Sequence, residues 1–99
     1  MLHIVNKSPS QSRTLESCLR LAQPASAVLL IEDGVYAATK GNADASALHA
    51  ACGRLQVYAL QPDCDARGVT GMLAEGITLV DYGGFVDLVA QRKTTHSWL

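Results

Sequence analysis

Four short apolar runs, separated by helical patterns, constrain the fold of this chain more than any other feature. They lie at Leu2–Val5, 27–31, Gln56–Leu60 and Ile77–Val80. Each run is rich in Val, Ile or Leu and is almost free of polar residues, which is typical of strands that are covered on both faces. The runs therefore predict four strands of a parallel sheet.

Helical signals occupy the segments between these runs. Ser8 is placed as an N-cap, with Pro9 at the first helical position and Gln11 closing a capping box. The apolar stripe that follows has helical spacing and consists of Leu15, Cys18, Leu19 and Ala22. This pattern predicts a helix that begins near Ser8 and packs on the sheet.

Acidic residues mark the starts of the remaining helices. Asp33 and Asp44 are expected to cap two short helices, and Asp63 precedes a brief turn. Asp81 leads into a helix over residues 83–92. The residues of that helix expected to face the core are Phe85, Leu88 and Val89.

The alternation of strands and helices with short connections predicts an α/β fold with right-handed crossovers. We expect a three-layer α/β/α sandwich around a mostly parallel four-stranded sheet. Residues 94–99 either add a fifth strand or lie on the surface. The chain of 99 residues is expected to form one domain over 1–99, with a core of Leu, Val, Ile and Ala because only 5% of it is aromatic.

The charge and hydropathy of the chain argue against several classes of partner. The formal net charge of -1 offers no basic face for nucleic acid. No apolar run approaches the roughly 20 residues of a membrane span. The first ten residues lack the layout of a signal peptide, so we expect a cytoplasmic protein without direct contact to nucleic acid or membrane.

The cysteines and histidines do not form a recognisable framework. They are Cys18, Cys52, Cys64, His3, His49 and His96. An odd number of widely spaced cysteines without a Cys-x-x-Cys motif argues against disulfides and against a zinc ribbon. The histidines add no metal-ligand spacing. We expect three reduced thiols, mostly in the core, and neither a metal nor a cofactor.

Four loops are expected to meet at the carboxyl ends of the strands, where open parallel sheets bind ligands. They are residues 6–12, 32–34, 61–65 and 81–84. The first occupies the position of a flavodoxin phosphate loop, but it lacks the glycines that let backbone approach a phosphate. A flavodoxin-like binder of a small ligand is therefore an alternative and is not favoured.

The acidic pair Glu32 and Asp33 directly follows the second run. Adjacent residues that leave a strand point in different directions, so they make a poor acid–base pair across one substrate. Asp33 is better explained as an N-cap, worth about 1 kcal/mol. Glu32 is then free to contact a neighbouring loop or another subunit.

Two cysteines are candidates for chemistry. Cys18 lies on an apolar helical stripe, where a thiol is usually inert and has a raised pKa. Cys64 follows Asp63, which is expected to act as a cap, and a helix N-terminus lowers the pKa of a thiol. No partner base is visible near either cysteine in the sequence.

Several stretches match one family in order and spacing along nearly the whole chain. They are MLHIVNKSP, LLIEDGVYAAT, VYAL followed by D and ARG, and VDYGGFVDLV with SWL near the end. With these stretches the chain resembles TusB/DsrH proteins. The resemblance implies a DsrE-like fold and a place in a heterohexamer with TusC/DsrF-like and TusD/DsrE-like subunits. Such complexes relay persulfide sulfur to a TusE/DsrC-like carrier, for 2-thiolation of the tRNA wobble uridine or for sulfur oxidation.

The resemblance also bears on individual residues. It implies that the principal sulfur-accepting cysteine belongs to the TusD/DsrE-like subunit. Cys18 matches a position where DsrH proteins of sulfur oxidisers carry cysteine, so it is a candidate auxiliary sulfur carrier, whereas Cys52 and Cys64 match no family site. Candidate interface residues are Glu32, Tyr36 and Trp98.

Three functional hypotheses follow. The favoured one is a non-catalytic or auxiliary subunit of a sulfurtransferase complex. The second is a stand-alone sulfurtransferase that carries persulfide on Cys18, and the third is the flavodoxin-like binder. An independent physical argument favours a subunit, because a small parallel sheet has two open edges that are usually covered.

Overall fold

A computed structural model describes residues 1–41, 45–92 and 94–98. Within these ranges five strands form one parallel sheet in the order β4-β3-β2-β1-β5. The strands are β1 (Leu2–Val5), β2 (Ala27–Leu30), β3 (Gln56–Leu60), β4 (Ile77–Val80) and β5 (Thr95–Trp98). The four predicted strands are confirmed, and the open question about residues 94–99 is answered by a fifth strand.

The described connections are helical. The α-helices are α1 (Thr14–Leu21), α2 (Ala45–Ala51), α3 (Gln61–Ala66) and α4 (Tyr82–Gln91). Two 3₁₀ helices cover Glu32–Ala38 and Thr70–Met72. The predicted α/β sandwich is confirmed.

The two faces of the sheet are covered unequally. Residues of α1, α2, α3 and the 3₁₀ helix Glu32–Ala38 pack with Val28, Val57 and other strand residues in a large core on one face. On the opposite face Leu88 of α4 packs with Leu2 and Leu29 in a small cluster. The three crossovers that link β1, β2, β3 and β4 all step in the same direction across the sheet. The fourth crossover, from β4 to β5, steps back across the sheet and places β5 on the far side of β1. Because crossovers are right-handed, the reversal places α4 on the other face.

The start of α1 corrects a prediction. The helix begins at Thr14 with no side-chain cap, and Ser8 is not its N-cap. The carbonyl oxygen of Ser8 instead accepts the amides of Gln11 at 3.0 Å and Ser12 at 3.2 Å, while the Gln11 side chain accepts the Ser8 amide at 3.3 Å. Only the Gln11 half of the expected capping box forms, because the Ser8 hydroxyl pairs with the Ser10 hydroxyl at 2.8 Å and does not accept the Gln11 amide; the bonds close an isolated turn before the helix.

The acidic caps are confirmed only in part. Asp81 caps α4 and accepts the Gly84 amide at 2.8 Å. Asp33 and Asp63 lie inside the first turns of their helices and cap neither of them, so both predictions are wrong. Their carboxylates bind other groups, as described below. The predicted cap Asp44 lies outside the described residues.

The inward face of α4 is narrower than predicted. Leu88 is buried and Phe85 is half-buried, but Val89 is 40% exposed, so its assignment to the core is wrong. A single helix packed on a sheet touches it along a narrow strip. The flanks of α4 therefore remain open to solvent.

The glycine in the EDGV turn makes a close backbone approach that allows a test of the fold. A Cβ at Gly34 would overlap the carbonyl oxygen of Val5, whereas a Cβ at Gly71 would meet nothing within 4 Å. We expect Gly34→Ala to lower the free energy of unfolding by roughly 1–3 kcal/mol through overpacking. Urea denaturation measures this, with Gly71→Ala as the matched control. Equal stability of the two variants would contradict the close approach.

Candidate functional site

A cavity of about 510 Å³ lies at the carboxyl ends of β1 and β2. Its polar lining consists of Ser8, Ser10, Gln11, Asp33, Tyr36 and Thr39. Hydroxyls, an amide and one carboxylate face the cavity, and none of the described lining residues is Lys or Arg. The arrangement lacks a positively charged side chain to neutralise a bound phosphate.

The loop at residues 6–12 uses its polar groups to hold its own turn. The hydroxyls of Ser8 and Ser10 pair with each other at 2.8 Å, and the carbonyl oxygen of the Gln11 side chain accepts a backbone amide at 3.3 Å. A phosphate loop instead leaves its amides and hydroxyls directed at the ligand. The local geometry therefore gives no support to a nucleotide or flavin site.

The acidic pair after β2 joins two elements. Asp33 Oδ1 accepts Arg67 Nε at 3.0 Å, and the backbone N–H of Glu32 donates to Asp63 Oδ2 at 2.7 Å. Arg67 Nη1 also donates to the carbonyl oxygen of Asp63 at 3.4 Å. These bonds tie the 3₁₀ helix Glu32–Ala38 to the segment that carries α3, so the acids have an architectural use.

The physical reason that Asp33 is not a cap lies in the tightness of this turn. The amide of Gly34 donates to the carbonyl oxygen of Ile31 at 2.8 Å, so the helix begins at Glu32 with Ile31 in the cap position. Glu32 has a positive φ of 50°, a conformation that costs a non-glycine residue about 1–2 kcal/mol. The bond from Glu32 to the Asp63 carboxylate offsets part of that strain.

The three thiols are held in their neutral form. Cys18 is fully buried, as its helical spacing predicts, and burial raises its pKa to about 12. At neutral pH the thiol is therefore protonated. Burial also raises the pKa of Cys52, which is half-buried.

Cys64 differs from the prediction. Because α3 begins at Gln61, Cys64 lies within the helix and its side chain is buried in the core. Burial raises its pKa, and the negative charges of Asp65 and Asp63 add to the effect while Arg67 opposes it. The expected lowering by a helix N-terminus is therefore wrong, since the thiol faces the core and its nearest charges are mainly acidic.

The candidate interface residues lie on different elements. Glu32 and Tyr36 share one 3₁₀ helix and are both exposed, with Tyr36 lining the cavity. Trp98 lies at the end of β5, which is separated from β2 by β1. Trp98 is half-buried against the larger core and donates its Nε1 hydrogen to His3 Nδ1 at 3.1 Å.

A further surface was missed by the sequence reasoning. Tyr82 and Val86 of α4 are 61% and 65% exposed, and with Phe85, Val89 and Ala90 they line an apolar cavity of about 490 Å³. The signal was available, because Val86 is apolar yet lies off the stripe assigned to the core. A helix that is apolar on more than one side needs a second partner.

Two other kinds of site receive no support from the described part of the chain. There, no group of three or more His, Cys, Asp or Glu side chains could hold a metal ion. None of the described helices is long and apolar enough to cross a membrane.

Solved structures share this architecture. The ychN protein of Escherichia coli superimposes with a TM-score of 0.78 at 19% identity, covering 97% of both chains. The MTH1491 protein of unknown function from Methanobacterium thermoautotrophicum gives 0.76 at 19% identity, covering 97% of this chain and 95% of that one. These likenesses identify the class of fold, the DsrE-like α/β sandwich.

Sequence comparison identifies the family. The model of the family described as DsrH like protein matches residues 7–95. Protein TusB of Serratia proteamaculans (strain 568) and Protein TusB of Escherichia coli (strain K12) are each 38% identical over 98 residues, covering 99% of this chain and 100% of each relative. The chain belongs to the TusB/DsrH family, which confirms the resemblance.

The ion pair between Asp33 and Arg67 allows a test of the acidic turn. We expect Asp33→Ala to lower the free energy of unfolding by about 0.5–1 kcal/mol, because the pair is partly exposed and its charges are screened. High salt should shrink the difference from wild type in urea denaturation. Asp87→Ala, at an exposed carboxylate of α4, is the control and should change little. Normal folding and assembly with loss of sulfur transfer would instead indicate a chemical role for Asp33.

Proposed function

We propose that this chain is a non-catalytic or auxiliary subunit of a TusBCD/DsrEFH-type heterohexameric sulfurtransferase complex. The complex relays persulfide sulfur to a TusE/DsrC-like carrier. Membership of the TusB/DsrH family supports a role in sulfur relay. The observation that carries the auxiliary role is that burial raises the pKa of all three cysteines.

The chemistry of sulfur relay explains why this observation matters. An accepting thiolate attacks the outer sulfur of a donor persulfide, a new S–S bond forms, and the donor leaves as a thiolate. The acceptor must therefore be accessible and at least partly ionised. Cys18 and Cys64 are buried and neutral, and Cys52 is half-buried with a raised pKa. A TusD/DsrE-like partner is the expected owner of the principal sulfur-accepting cysteine.

The exposed flank of α4 supports the subunit role. Helix α4 carries three neighbouring exposed apolar side chains, Tyr82, Val86 and Val89. Among the described residues, α4 is the helix that packs on this face of the sheet. Contiguous apolar surface of this kind marks protein–protein contacts. The TusC/DsrF-like and TusD/DsrE-like subunits are the partners we propose for this surface.

The names of the relatives support one destination of the sulfur over the other. Relatives named Protein TusB favour 2-thiolation of the tRNA wobble uridine, while the cysteine at position 18 keeps sulfur oxidation as the second candidate. With a formal net charge of -1, the chain would act without contacting the nucleic acid itself. Thiols that are all free fit a reducing cytoplasm.

Disruption of the α4 surface tests the assembly. We expect Val86→Asp to prevent or strongly weaken assembly when the chain is co-expressed with its two paralogues, because a charge would be buried in an apolar contact. Size-exclusion chromatography measures the complex. Leu21→Asp is the matched control, since Leu21 is 60% exposed on α1, which packs on the opposite face of the sheet.

Full assembly of the Val86→Asp chain would show that α4 is not the contact. A stable monomeric wild-type chain that ignores both paralogues would contradict the subunit role itself.

Persulfide loading tests the role of Cys18. We expect Cys18→Ser to leave relay through the TusD/DsrE-like partner working and to cost about 1–3 kcal/mol of stability, because it buries a hydroxyl in an apolar core. Mass spectrometry of the reconstituted complex follows loading subunit by subunit, with Cys18→Ala as the control that introduces no polar group. Rapid stoichiometric loading of Cys18, with loss of onward transfer in both variants, would establish a sulfur-carrying thiol instead.

A further inference from the structure

The edge strand β5 is held on β1 by a cluster of three rings, His3, His96 and Trp98. Trp98 Nε1 lies 3.1 Å from His3 Nδ1, and the centroids of the His96 and Trp98 rings are 4.7 Å apart. The centroids of the two histidine rings are 6.2 Å apart, as the two residues are paired in register across the strands. The proposed function uses none of these contacts.

This hydrogen bond requires a neutral imidazole at His3. The indole N–H of Trp98 can only donate, so Nδ1 of His3 has to accept and must carry no proton. Addition of a proton would set two donors against each other. His3 is buried, but it also lines a cavity of about 380 Å³ together with Met1 and Leu21.

The charges around His3 oppose its protonation. Burial lowers the pKa of His3, and the nearby His96 and the N-terminal ammonium lower it further. Val28 of β2 is paired with His3, and the cavity residues Gln23 to Ser26 carry no charge. The Arg92 guanidinium, which follows α4, donates to the carbonyl oxygen of Ala25 at 3.1 Å and adds a positive charge beside this cavity. On α1, Arg20 is exposed and the pKa of Cys18, raised to about 12 by burial, keeps that thiol neutral.

Few other side-chain contacts hold β5 in place. The strand has four residues, and the side chains of Thr95, His96 and Ser97 are exposed, so Trp98 supplies the packing against the core. The backbone ladder to β1 is short and lies at an edge of the sheet. Local opening is easiest where few buried contacts accompany the backbone bonds.

We propose that His3 is a proton-controlled latch for β5: protonation of His3 breaks its bond to Trp98 and releases the strand from β1. Release uncovers the hydrogen-bonding edge of β1, which can then pair with another strand. The latch is a property of this chain and does not depend on the proposed role in sulfur relay.

The pH window follows from the direction of the shift. The pKa of His3 in the docked state lies below its ordinary value of 6.5, so the docked state binds the proton less readily than the released state. The advantage of docking is complete above 6.5 and is lost as the pH falls through the folded pKa. Within that window the opening constant of β5 rises by up to about tenfold per pH unit.

Trp98 makes the latch measurable, because it is the only tryptophan of the chain. We expect its fluorescence emission to shift to longer wavelength as the full-length protein is titrated from about pH 8 to 5, with a midpoint below the ordinary histidine value. Amide hydrogen exchange of β5, corrected for its intrinsic pH dependence, should accelerate over the same range. Amides of β3, an interior strand that does not pair with β1 or β5, should stay protected and serve as the internal reference.

Two variants test whether His3 is the group whose protonation releases β5. His3→Gln keeps an acceptor for Trp98 that does not titrate, so the transition should disappear. His96→Gln removes the imidazole that lowers the pKa of His3 and should move the midpoint to higher pH.

An unchanged transition in His3→Gln would overturn the latch, and so would loss of protection in β3 together with β5. If His3→Gln fails to fold, the exposed His96→Gln variant carries the test, and an unmoved midpoint there overturns the proposal.

Discussion

The parallel sheet has to be covered on both of its faces, and the other features of the molecule depend on how this requirement is met. Three crossovers in one direction bring α1, α2, α3 and a 3₁₀ helix onto one face. The return to β5 leaves α4 as the described cover of the other face. Parallel sheets are stable when both faces are buried. The asymmetry therefore produces one well-packed core and one face that still exposes apolar side chains.

The well-packed face determines the chemistry that the chain can perform. Cys18 and Cys64 belong to its core, where the low dielectric disfavours a thiolate. A thiol in such a place contributes packing and is a poor nucleophile. The thinly covered face leaves Val86 and its neighbours on α4 in water, and burial of these side chains would be favourable. These two faces are the basis of the auxiliary role that we propose for the chain.

Polar contacts of different strength hold two peripheral parts of the sheet, the acidic turn at the carboxyl ends of the strands and the edge strand β5. At the carboxyl ends, Arg67 and Asp63 hold the acidic turn through charge-assisted bonds, one of them to the strained backbone of Glu32. At the edge strand β5, a hydrogen bond between two uncharged groups, the Trp98 indole and the His3 imidazole, holds the strand on β1. The second kind depends on one imidazole that has to stay neutral, which is why we expect the edge strand β5 to be sensitive to protons.

Local patterns in the sequence determined the first four strands, the burial of Cys18 and the start of α4 after Asp81, because apolar runs, helical spacing and a following glycine act within a few residues, whereas the fifth strand was left open. The family was also readable from short motifs in order. Only the tertiary structure decided the roles of Asp33 and Cys64 and the exposure of α4. Arg67 is distant from Asp33 in sequence, and the layer that α4 covers follows from the strand order. The partners of a side chain depend on contacts between residues that are far apart in sequence, and local propensity does not encode these contacts.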